Sequence, residues 1–304
     1  FWGRPNDRYF LDDLLSDLSG GHNVVSTVFI ECQAMYRKGG PEEMKTLGQT
    51  EFVQGIVAQN ASGRYGNIDV AAGIVAFANL AIGSDVERVL EAHQAVTPNF
   101  RGVRHITAFD GSPDVPRPRP FPEGLFGDAK FREGFAVLEK LGLSFDAYIY
   151  HPQLHELADL ANAFPGVTII LNHVGGPLGV GPYAGKRDQI FEEWKDSMTA
   201  VAASPNVVVK VGGLVMPVCG FDWHERAMPA TSGSLAQATA PYYLHCIEQF
   251  GSNRCMFESN FPVDKIACSY TVLWNAFKRL AHDFSPSEQA ALFHDTATRV
   301  YRLS

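Results

Sequence analysis

The feature that most constrains the fold of this chain is an alternation of short apolar runs with longer amphipathic stretches. Runs of this kind, rich in β-branched and aromatic residues and apolar on both faces, are typical of strands buried in a parallel sheet. Seven such runs occur, at residues 24–31, 71–77, 100–107, 143–150, 167–172, 207–211 and 255–259. The sequence therefore predicts an α/β protein built from repeated strand–helix units.

Amphipathic helices are predicted between these strands, because apolar residues recur there at helical spacing. The clearest stripes lie at residues 131–141, 154–164 and 266–280. The last helix begins at Ser285-Pro286-Ser287-Glu288, which offers an N-cap serine, a proline at the first helical position and a glutamate at the third.

Seven strands are one fewer than a closed (β/α)8 TIM barrel requires. A helix-like segment at residues 11–18 precedes the first apolar run, so the strand that should feed it would lie immediately before Phe1. A barrel without one strand exposes two sheet edges. We therefore expect a single TIM-barrel domain over residues 1–304, with its first strand absent from the given sequence.

Composition narrows the classes of function. The chain is 46% apolar and carries a formal net charge of −8 with no basic stripe, so neither nucleic acid nor a membrane surface is an expected partner. No apolar run approaches the roughly 18 residues of a membrane span. The five cysteines form no C-x-x-C pair, which is typical of reduced thiols in a cytoplasmic protein. We expect a small-molecule substrate and, by default, a homodimer.

Polar residues that follow the strands are the candidates for chemistry, because the active site of a parallel barrel lies at the C-terminal ends of its strands. His151 and His173 each come directly after an apolar run. Two imidazoles on neighbouring strands can converge on a metal ion, or one can act as a general acid and base. For either histidine, the alternative is a side chain that is hydrogen-bonded to a backbone group.

The segment after the last run offers two further candidates. Strand alternation places Glu258 and Asn260 on one face, so Glu258 points into the barrel one layer below Asn260. A carboxylate there needs either a partner or a raised pKa. Glu31 ends the first run in the same manner, and it either takes part in chemistry or accepts hydrogen bonds from loop amides. Asp264 is expected to cap the following helix.

Basic residues belong to two of the runs. Arg104 and His105 end the third run, and Lys210 lies within the sixth. Such groups suit a substrate carboxylate or a developing oxyanion. The alternative is an internal salt bridge to Glu31 or Glu258.

Loop residues complete the set of candidates. Long loops at residues 112–122 and 175–185 are expected over the C-terminal face, and Tyr36, Trp223 and His224 are expected to decide the substrate. The segment with Trp223 and His224 either covers the site or is a solvated loop. The chain has no G-x-S-x-G elbow, phosphate-binding P-loop or convincing dinucleotide fingerprint, which disfavours the corresponding enzyme classes.

Taken together, the order and spacing of these segments resemble the amidohydrolase-related branch of the amidohydrolase superfamily. That group includes 2-pyrone-4,6-dicarboxylate lactonase and aminocarboxymuconate semialdehyde decarboxylase. The resemblance covers essentially the whole chain and implies a TIM-barrel hydrolase. The segments that carry it are Phe1-Trp2, Phe100 to His105, Ile149 to Leu154, Ile170 to Gly175, Val208 to Leu214 and Met256 to Pro262.

The resemblance also implies roles. A His-x-His pair on the family's first strand is commonly followed by Phe-Trp, which places that pair just upstream of Phe1-Trp2. The fifth-strand histidine maps to His151, which would join the upstream pair in holding a divalent metal such as zinc. The sixth-strand histidine, often a general acid and base or a substrate contact, maps to His173. The eighth-strand aspartate is replaced by Asn260, which cannot take a proton from water and is a poorer zinc ligand.

Three accounts of this replacement stay open. Without a metal, Asn260 would orient water while Glu258 or a histidine takes the proton. Alternatively, the upstream pair and His151 would hold a metal, or the chain has lost hydrolytic activity.

The function predicted from these features is hydrolysis of a small carboxylated cyclic ester, a lactone. Arg104 and Lys210 would hold carboxylate or carbonyl oxygens, His173 would move the proton, and Asn260 would position water. The other expected substrate contacts are Glu31, Tyr36, His105, His151, Trp223 and His224. The alternatives are a metal-dependent non-oxidative decarboxylase of the same fold and an inactive barrel that binds a small ligand.

Overall fold

The structure, a computed structural model, describes residues 8–303; Phe1 and Trp2, which carry part of the resemblance, lie outside the described residues. Within this range, seven parallel strands form one sheet in the order in which they occur along the chain. They are β1 (Ser26–Ile30), β2 (Asp69–Ala76), β3 (Phe100–Ile106), β4 (Ser144–Tyr148), β5 (Ile169–Leu171), β6 (Val207–Val211) and β7 (Cys255–Phe257). Each coincides with a predicted apolar run.

Helices alternate with these strands and pack on the outside of the sheet. They are α1 (Leu11–Leu18), α2 (Leu47–Asn60), α3 (Glu87–Val96), α4 (Ala129–Lys140), α5 (Leu154–Ala163), α6 (Arg187–Ala202), α7 (Ser232–Phe250), α8 (Tyr270–Leu280), α9 (Pro286–Ala290) and α10 (Thr296–Tyr301). The predicted start of the last helical region is confirmed, since Ser285 caps α9 and pairs reciprocally with Glu288.

The prediction that Asp264 caps the helix after β7 is wrong. The side chain of Ser269 caps α8 by accepting a hydrogen bond from the backbone N–H of Val272 at 3.3 Å. Asp264 is instead fully buried in a 3₁₀ turn, where its carboxylate accepts a hydrogen bond from Asn260. The 3₁₀ turn lies between β7 and α8, and it places Asp264 in the interior before α8 begins.

The sheet is curled, because inward side chains from distant strands meet in one cluster. Val75 of β2, Ile170 of β5, Val208 of β6 and Met256 of β7 pack there with residues of α10. A curled parallel sheet with external helices is the TIM-barrel-like α/β arrangement that the sequence predicts. Among the described strands, β1 and β7 each have one partner, so the predicted closed barrel is represented by seven strands.

Parallel pairing brings all C-terminal strand ends to the same edge of the sheet. Arg104 of β3 is in register with Asp146 of β4, and Lys210 of β6 is in register with Met256 of β7.

Across residues 8–303, none of the helices combines the length and the apolar character that crossing a membrane requires.

Candidate active site

The centre of the candidate site is a hydrogen-bonded pair formed by His173, which follows β5, and Glu258, which follows β7. The Nδ1 atom of His173 donates to Oε1 of Glu258 at 2.6 Å, and the backbone N–H of His173 donates to the same oxygen at 3.1 Å. Only 3% of the histidine side chain and 13% of the glutamate side chain are exposed. Because Nδ1 faces the carboxylate, Nε2 is the atom left for proton transfer.

Two glycines after β6 make room for this pair. A Cβ atom on Gly212 would collide with the side chain of Glu258, and a Cβ atom on Gly213 would lie 2.6 Å from Nδ1 of His173. Gly213 also has a φ of +75°, which L residues rarely adopt. The Gly-Gly sequence at the end of this strand therefore has a direct structural reason, namely close approach of the backbone to both partners.

The charge state of Glu258 follows from its surroundings. Burial alone would raise the pKa of this carboxyl, but the His173 ring and the Lys210 ammonium outweigh burial and lower it below 4.5. Glu258 is therefore ionised at neutral pH and orients the imidazole. The sequence predicted that this inward carboxylate needs a partner or a raised pKa, and the partner is His173.

Asn260 lies at the same end of the sheet with a φ of +49°. Its Nδ2 atom donates to Oδ1 of Asp264 at 2.6 Å. Burial raises the pKa of Asp264 well above its ordinary value, which favours the neutral acid. Because the amide nitrogen is engaged, the Oδ1 atom of Asn260 is its free acceptor, suited to a water molecule.

Tyr148 at the end of β4 packs edge-on against the His173 ring with 4.9 Å between ring centroids. Burial raises the pKa of its phenol, and the positive charge of Arg104 only partly offsets this. Its hydroxyl donates to the weakly accepting sulfur of Met216 at 3.8 Å. Tyr148 was not among the residues predicted from the sequence, although strand alternation places it on the same inward face as Asp146.

A second group of side chains, the mouth cluster, consists of Glu31, Tyr36, Arg104 and Arg119. Glu31 is fully buried and accepts hydrogen bonds from Nε of Arg104 at 3.3 Å and from Nη2 of Arg119 at 3.0 Å. Arg104 also donates to the backbone carbonyl of Glu31. Of the expected alternatives for Arg104, the internal salt bridge to Glu31 is thus confirmed.

Arg119 is the member of the mouth cluster that the sequence analysis missed. It comes from the predicted loop at residues 112–122, stacks over the Phe77 ring at 4.0 Å and donates to the hydroxyl of Tyr36 at 3.0 Å. The Arg104 and Arg119 side chains are 13% and 11% exposed, so both guanidinium groups are largely desolvated. Two cations share one carboxylate, which leaves the cluster with a net positive charge.

A third group, the floor cluster, consists of Asp146, Asn172, Lys210 and Tyr301. Nζ of Lys210 donates to Oδ1 of Asp146 at 2.6 Å, and 5% of the lysine side chain is exposed. The internal salt bridge that the sequence analysis allowed for Lys210 therefore exists, but its partner is Asp146 rather than Glu31 or Glu258. Asp146 was not among the predicted site residues, because it lies within a mostly apolar run.

His151 lies beneath the predicted loop at residues 175–185. Its backbone N–H donates to the carbonyl of Gly176 at 3.1 Å, and its Nδ1 atom accepts from the backbone N–H of Leu178 at 3.3 Å. Burial lowers the pKa of His151 to about 4. Tyr183 packs edge-on over the ring at 5.3 Å. His151 therefore has the backbone-bonded environment given above as the alternative to a ligand role.

His105 lies on the outer face of β3, because neighbouring residues of a strand face opposite sides and Arg104 points inward. Its ring is fully buried against Phe77, Phe121 and Phe131, at 5.2, 4.4 and 5.4 Å between centroids. Neither ring nitrogen has a hydrogen-bond partner within residues 8–303. Burial lowers the pKa of His105 to about 3.

The loop after β6 places Trp223 and His224 differently from each other. Trp223 is 4% exposed and lies under the guanidinium of Arg226 at 3.7 Å. The His224 side chain is 27% exposed and approaches Glu225 at 3.8 Å. In the described part of the chain, neither side chain is hydrogen-bonded to the mouth cluster or to His173.

A zinc site needs at least three protein ligands in close proximity. Within residues 8–303, no three His, Cys, Asp or Glu side chains gather in this way. The described residues therefore do not by themselves fit a zinc ion.

Comparisons with known proteins agree with the fold. The model of the family described as Amidohydrolase matches residues 36–303. An uncharacterized protein of Sinorhizobium fredii is 35% identical over 98% of this chain and 87% of its own length. An L-fucono-1,5-lactonase of Burkholderia multivorans is 28% identical over 76% of this chain and 72% of its own. A crystal structure of an amidohydrolase from Burkholderia multivorans with bound zinc has 26% identity and a TM-score of 0.66, covering 84% of this chain and 79% of that one.

Proposed function

Since this chain belongs to the amidohydrolase family, we propose that it is a hydrolase that opens the ring of a small lactone bearing a carboxylate. The observation that carries the proposal is the buried His173–Glu258 pair, in which a 2.6 Å hydrogen bond fixes the imidazole and leaves Nε2 for proton transfer. The likeness to an L-fucono-1,5-lactonase supports a cyclic ester as the substrate class.

In the proposed reaction, Nε2 of His173 takes a proton from water as the water oxygen attacks the lactone carbonyl carbon. Asn260 accepts a hydrogen bond from the same water and orients it. The ring C–O bond then breaks, and His173 returns the proton to the departing ring oxygen, which yields a hydroxy acid. Glu258, ionised and in contact with Nδ1, stabilises the imidazolium that forms between the two steps.

The tetrahedral intermediate needs a hydrogen-bond donor for its oxyanion. The Tyr148 hydroxyl suits this role, since its raised pKa keeps it protonated and its present acceptor is a thioether sulfur at 3.8 Å. Lys210, expected above to hold substrate oxygens, is engaged by Asp146 on the floor of the sheet. Arg104 is the one of these two basic residues proposed to hold substrate oxygens, because it shares Glu31 with Arg119, whereas Asp146 alone balances the charge of Lys210.

The mouth cluster supports the carboxylate on the substrate. Arg104 and Arg119 have one anionic partner, Glu31, so a second anion would balance the charge of this largely desolvated group. Guanidinium groups bind carboxylates through paired, directional hydrogen bonds. Tyr36 lies within the same cluster through its contact with Arg119.

The test is hydrolysis of a panel of lactones, with and without a carboxylate, followed by acid release with a pH indicator. L-Fucono-1,5-lactone belongs in the neutral half of the panel. We expect His173→Gln to lower kcat by at least about 100-fold, which is typical of loss of a general acid and base. The matched control is His282→Gln, since His282 contacts Asp283 at 2.8 Å but both side chains are exposed at the surface.

Two outcomes would overturn the proposal. One is that His173→Gln retains the same lactonase activity as the His282→Gln control. The other is release of CO2 from a carboxylated substrate without ring opening, which would identify a decarboxylase instead.

A further inference from the structure

The floor cluster contains a residue from the C-terminal helix. Tyr301 of α10 is 1% exposed and packs with Val300 in the interior cluster formed by inward residues of β2, β5, β6 and β7. Its hydroxyl donates to Oδ1 of Asp146 at 3.0 Å and lies 3.2 Å from Oδ2. The end of the chain thus reaches the inside of the sheet through one polar group.

Asp146 is fully buried and collects donors from three separate elements. Its Oδ1 atom accepts from Lys210 of β6 at 2.6 Å, from Asn172 after β5 at 2.9 Å and from Tyr301 of α10 at 3.0 Å. A buried carboxylate stays ionised only when such donors replace its water shell. Burial and the adjacent Asp146 raise the pKa of Tyr301 well above its ordinary value, so the phenol remains a donor.

Two of these donors lead directly to the catalytic pair. Asn172 immediately precedes His173, which has the uncommon φ of +54° and therefore depends on a well-held neighbour. Lys210 precedes Gly212, the residue whose backbone lies against Glu258, and the lysine charge acts on that carboxylate. The orientation of Asp146 is thus shared by the supports of both His173 and Glu258.

Tyr301 is the described residue that contacts both oxygens of Asp146. Phenylalanine at this position fills the same volume but leaves Oδ2 of Asp146 with no donor among the described residues. The carboxylate then has freedom to rotate about its χ2 angle, and the hydrogen bonds to Asn172 and Lys210 change with it.

We propose that Tyr301 is a positioning residue of the active site, which holds Asp146 in the orientation that supports the His173–Glu258 pair. It touches neither of the two partners and acts through Asn172 and Lys210. Its kinetic consequence rests on the proposed lactonase reaction, whereas its effect on the geometry of the pair does not.

The test compares the wild-type chain with Tyr301→Phe. We expect kcat for a lactone to fall about tenfold while KM changes less than about twofold, because misplaced catalytic groups affect the chemical step more than binding. The second readout needs no substrate: we expect the proton between His173 and Glu258 to give a downfield NMR resonance, which is assigned by its loss in Glu258→Gln. This resonance is expected to shift or broaden in Tyr301→Phe.

The control is Tyr9→Phe, which also removes a hydroxyl that donates to a carboxylate, that of Asp17 at 2.9 Å, outside the floor cluster. An unchanged resonance in Tyr301→Phe, or an equal change in Tyr9→Phe, would overturn the proposal. If Tyr301→Phe fails to fold, Asn172→Ala removes another donor of Asp146 and is expected to alter the same resonance. If the wild type opens no lactone, the proposed function fails, while the resonance still decides the role of Tyr301.

Discussion

The mouth cluster and the floor cluster are built from similar parts but are balanced differently. Each contains a carboxylate that is fully buried, Glu31 in one and Asp146 in the other. Glu31 faces two guanidinium groups whose side chains retain 13% and 11% exposure. Asp146 faces one ammonium group, on a side chain with 5% exposure, and two neutral donors.

This difference in charge balance suits the mouth cluster to binding an anion and the floor cluster to supporting the His173–Glu258 pair. The floor cluster is neutral, because the carboxylate of Asp146 balances the ammonium of Lys210, so it has no positive charge left for a further anion. The mouth cluster has a positive charge in excess and reaches the solvent, which is the arrangement that attracts an anionic ligand. Charge balance therefore distinguishes the ion pair of the floor cluster from the proposed carboxylate-binding group of the mouth cluster, whereas burial alone does not.

The largest effect is expected from breaking the floor cluster. Asp146→Ala leaves the Lys210 ammonium buried and unpaired, which we expect to lower the free energy of unfolding by about 3–5 kcal/mol. Urea denaturation measures this loss. The double variant Asp146→Leu with Lys210→Met, in which no charge is left unpaired, should recover most of the stability. A loss below about 1 kcal/mol in Asp146→Ala, the range of exposed pairs such as Arg37–Glu51, would remove the distinction between the clusters.

The His173–Glu258 pair is expected to be sensitive to a single added methyl group. Gly213→Ala places a Cβ atom 2.6 Å from the His173 ring, so we expect kcat to fall at least about 30-fold as the imidazole is displaced. Gly185→Ala is the matched control, because Gly185 has nearly the same φ, +73° against +75°, but open space around it. Both variants incur the backbone cost of about 1–2 kcal/mol in thermal unfolding. Equal activities in the two variants would show that the ring does not depend on this close approach.

A smaller effect is expected from reducing the positive charge of the mouth cluster. Arg119→Ala should raise KM for a carboxylated lactone about tenfold and leave kcat nearly unchanged, because it removes uniform binding. KM for a neutral lactone should hardly move. Arg117→Ala is the control from the same loop, since Arg117 stacks over Phe109 at 4.2 Å outside the cluster. An equal rise in KM for both kinds of lactone would separate Arg119 from carboxylate recognition.

The seven described strands and several of the helices could be predicted from the sequence. The bounds of β6 and α1 are those expected, because an apolar run and a helical stripe are local properties of the chain. Hydrogen-bond partners are not local. For Lys210, the alternative to a substrate contact was a salt bridge to Glu31 or Glu258, yet its partner is Asp146, which lies 64 residues away in sequence and meets it through the curl of the sheet.

The candidate site shows the same limit at the level of single residues. Glu258 could be predicted to point inward from strand alternation, and its need for a partner follows from burial. Arg119 could not be identified, because the conformation of a proline-rich loop is set by what it packs against, here the Phe77 ring. Tyr301 could not be predicted either, since nothing in the sequence pattern of α10 indicates that its last residue enters the sheet interior.

Unlike the buried carboxylates of the two clusters, His105 on the outer face of β3 is a buried polar group with no hydrogen-bond partner among the described residues. Because burial lowers the pKa of His105 from 6.5 to about 3, the unfolded chain binds a proton at this residue before the folded chain does. Stability contributed by the neutral ring is therefore complete above pH 6.5 and is lost progressively as the pH falls below it. His105→Phe, which keeps an aromatic ring among Phe77, Phe121 and Phe131, should remove this dependence. Between pH 7 and pH 6, urea denaturation should show that the free energy of unfolding falls by about 0.7 kcal/mol more in the wild type than in the variant. Identical pH profiles would mean that the His105 ring has a polar partner, as the carboxylates of the two clusters do.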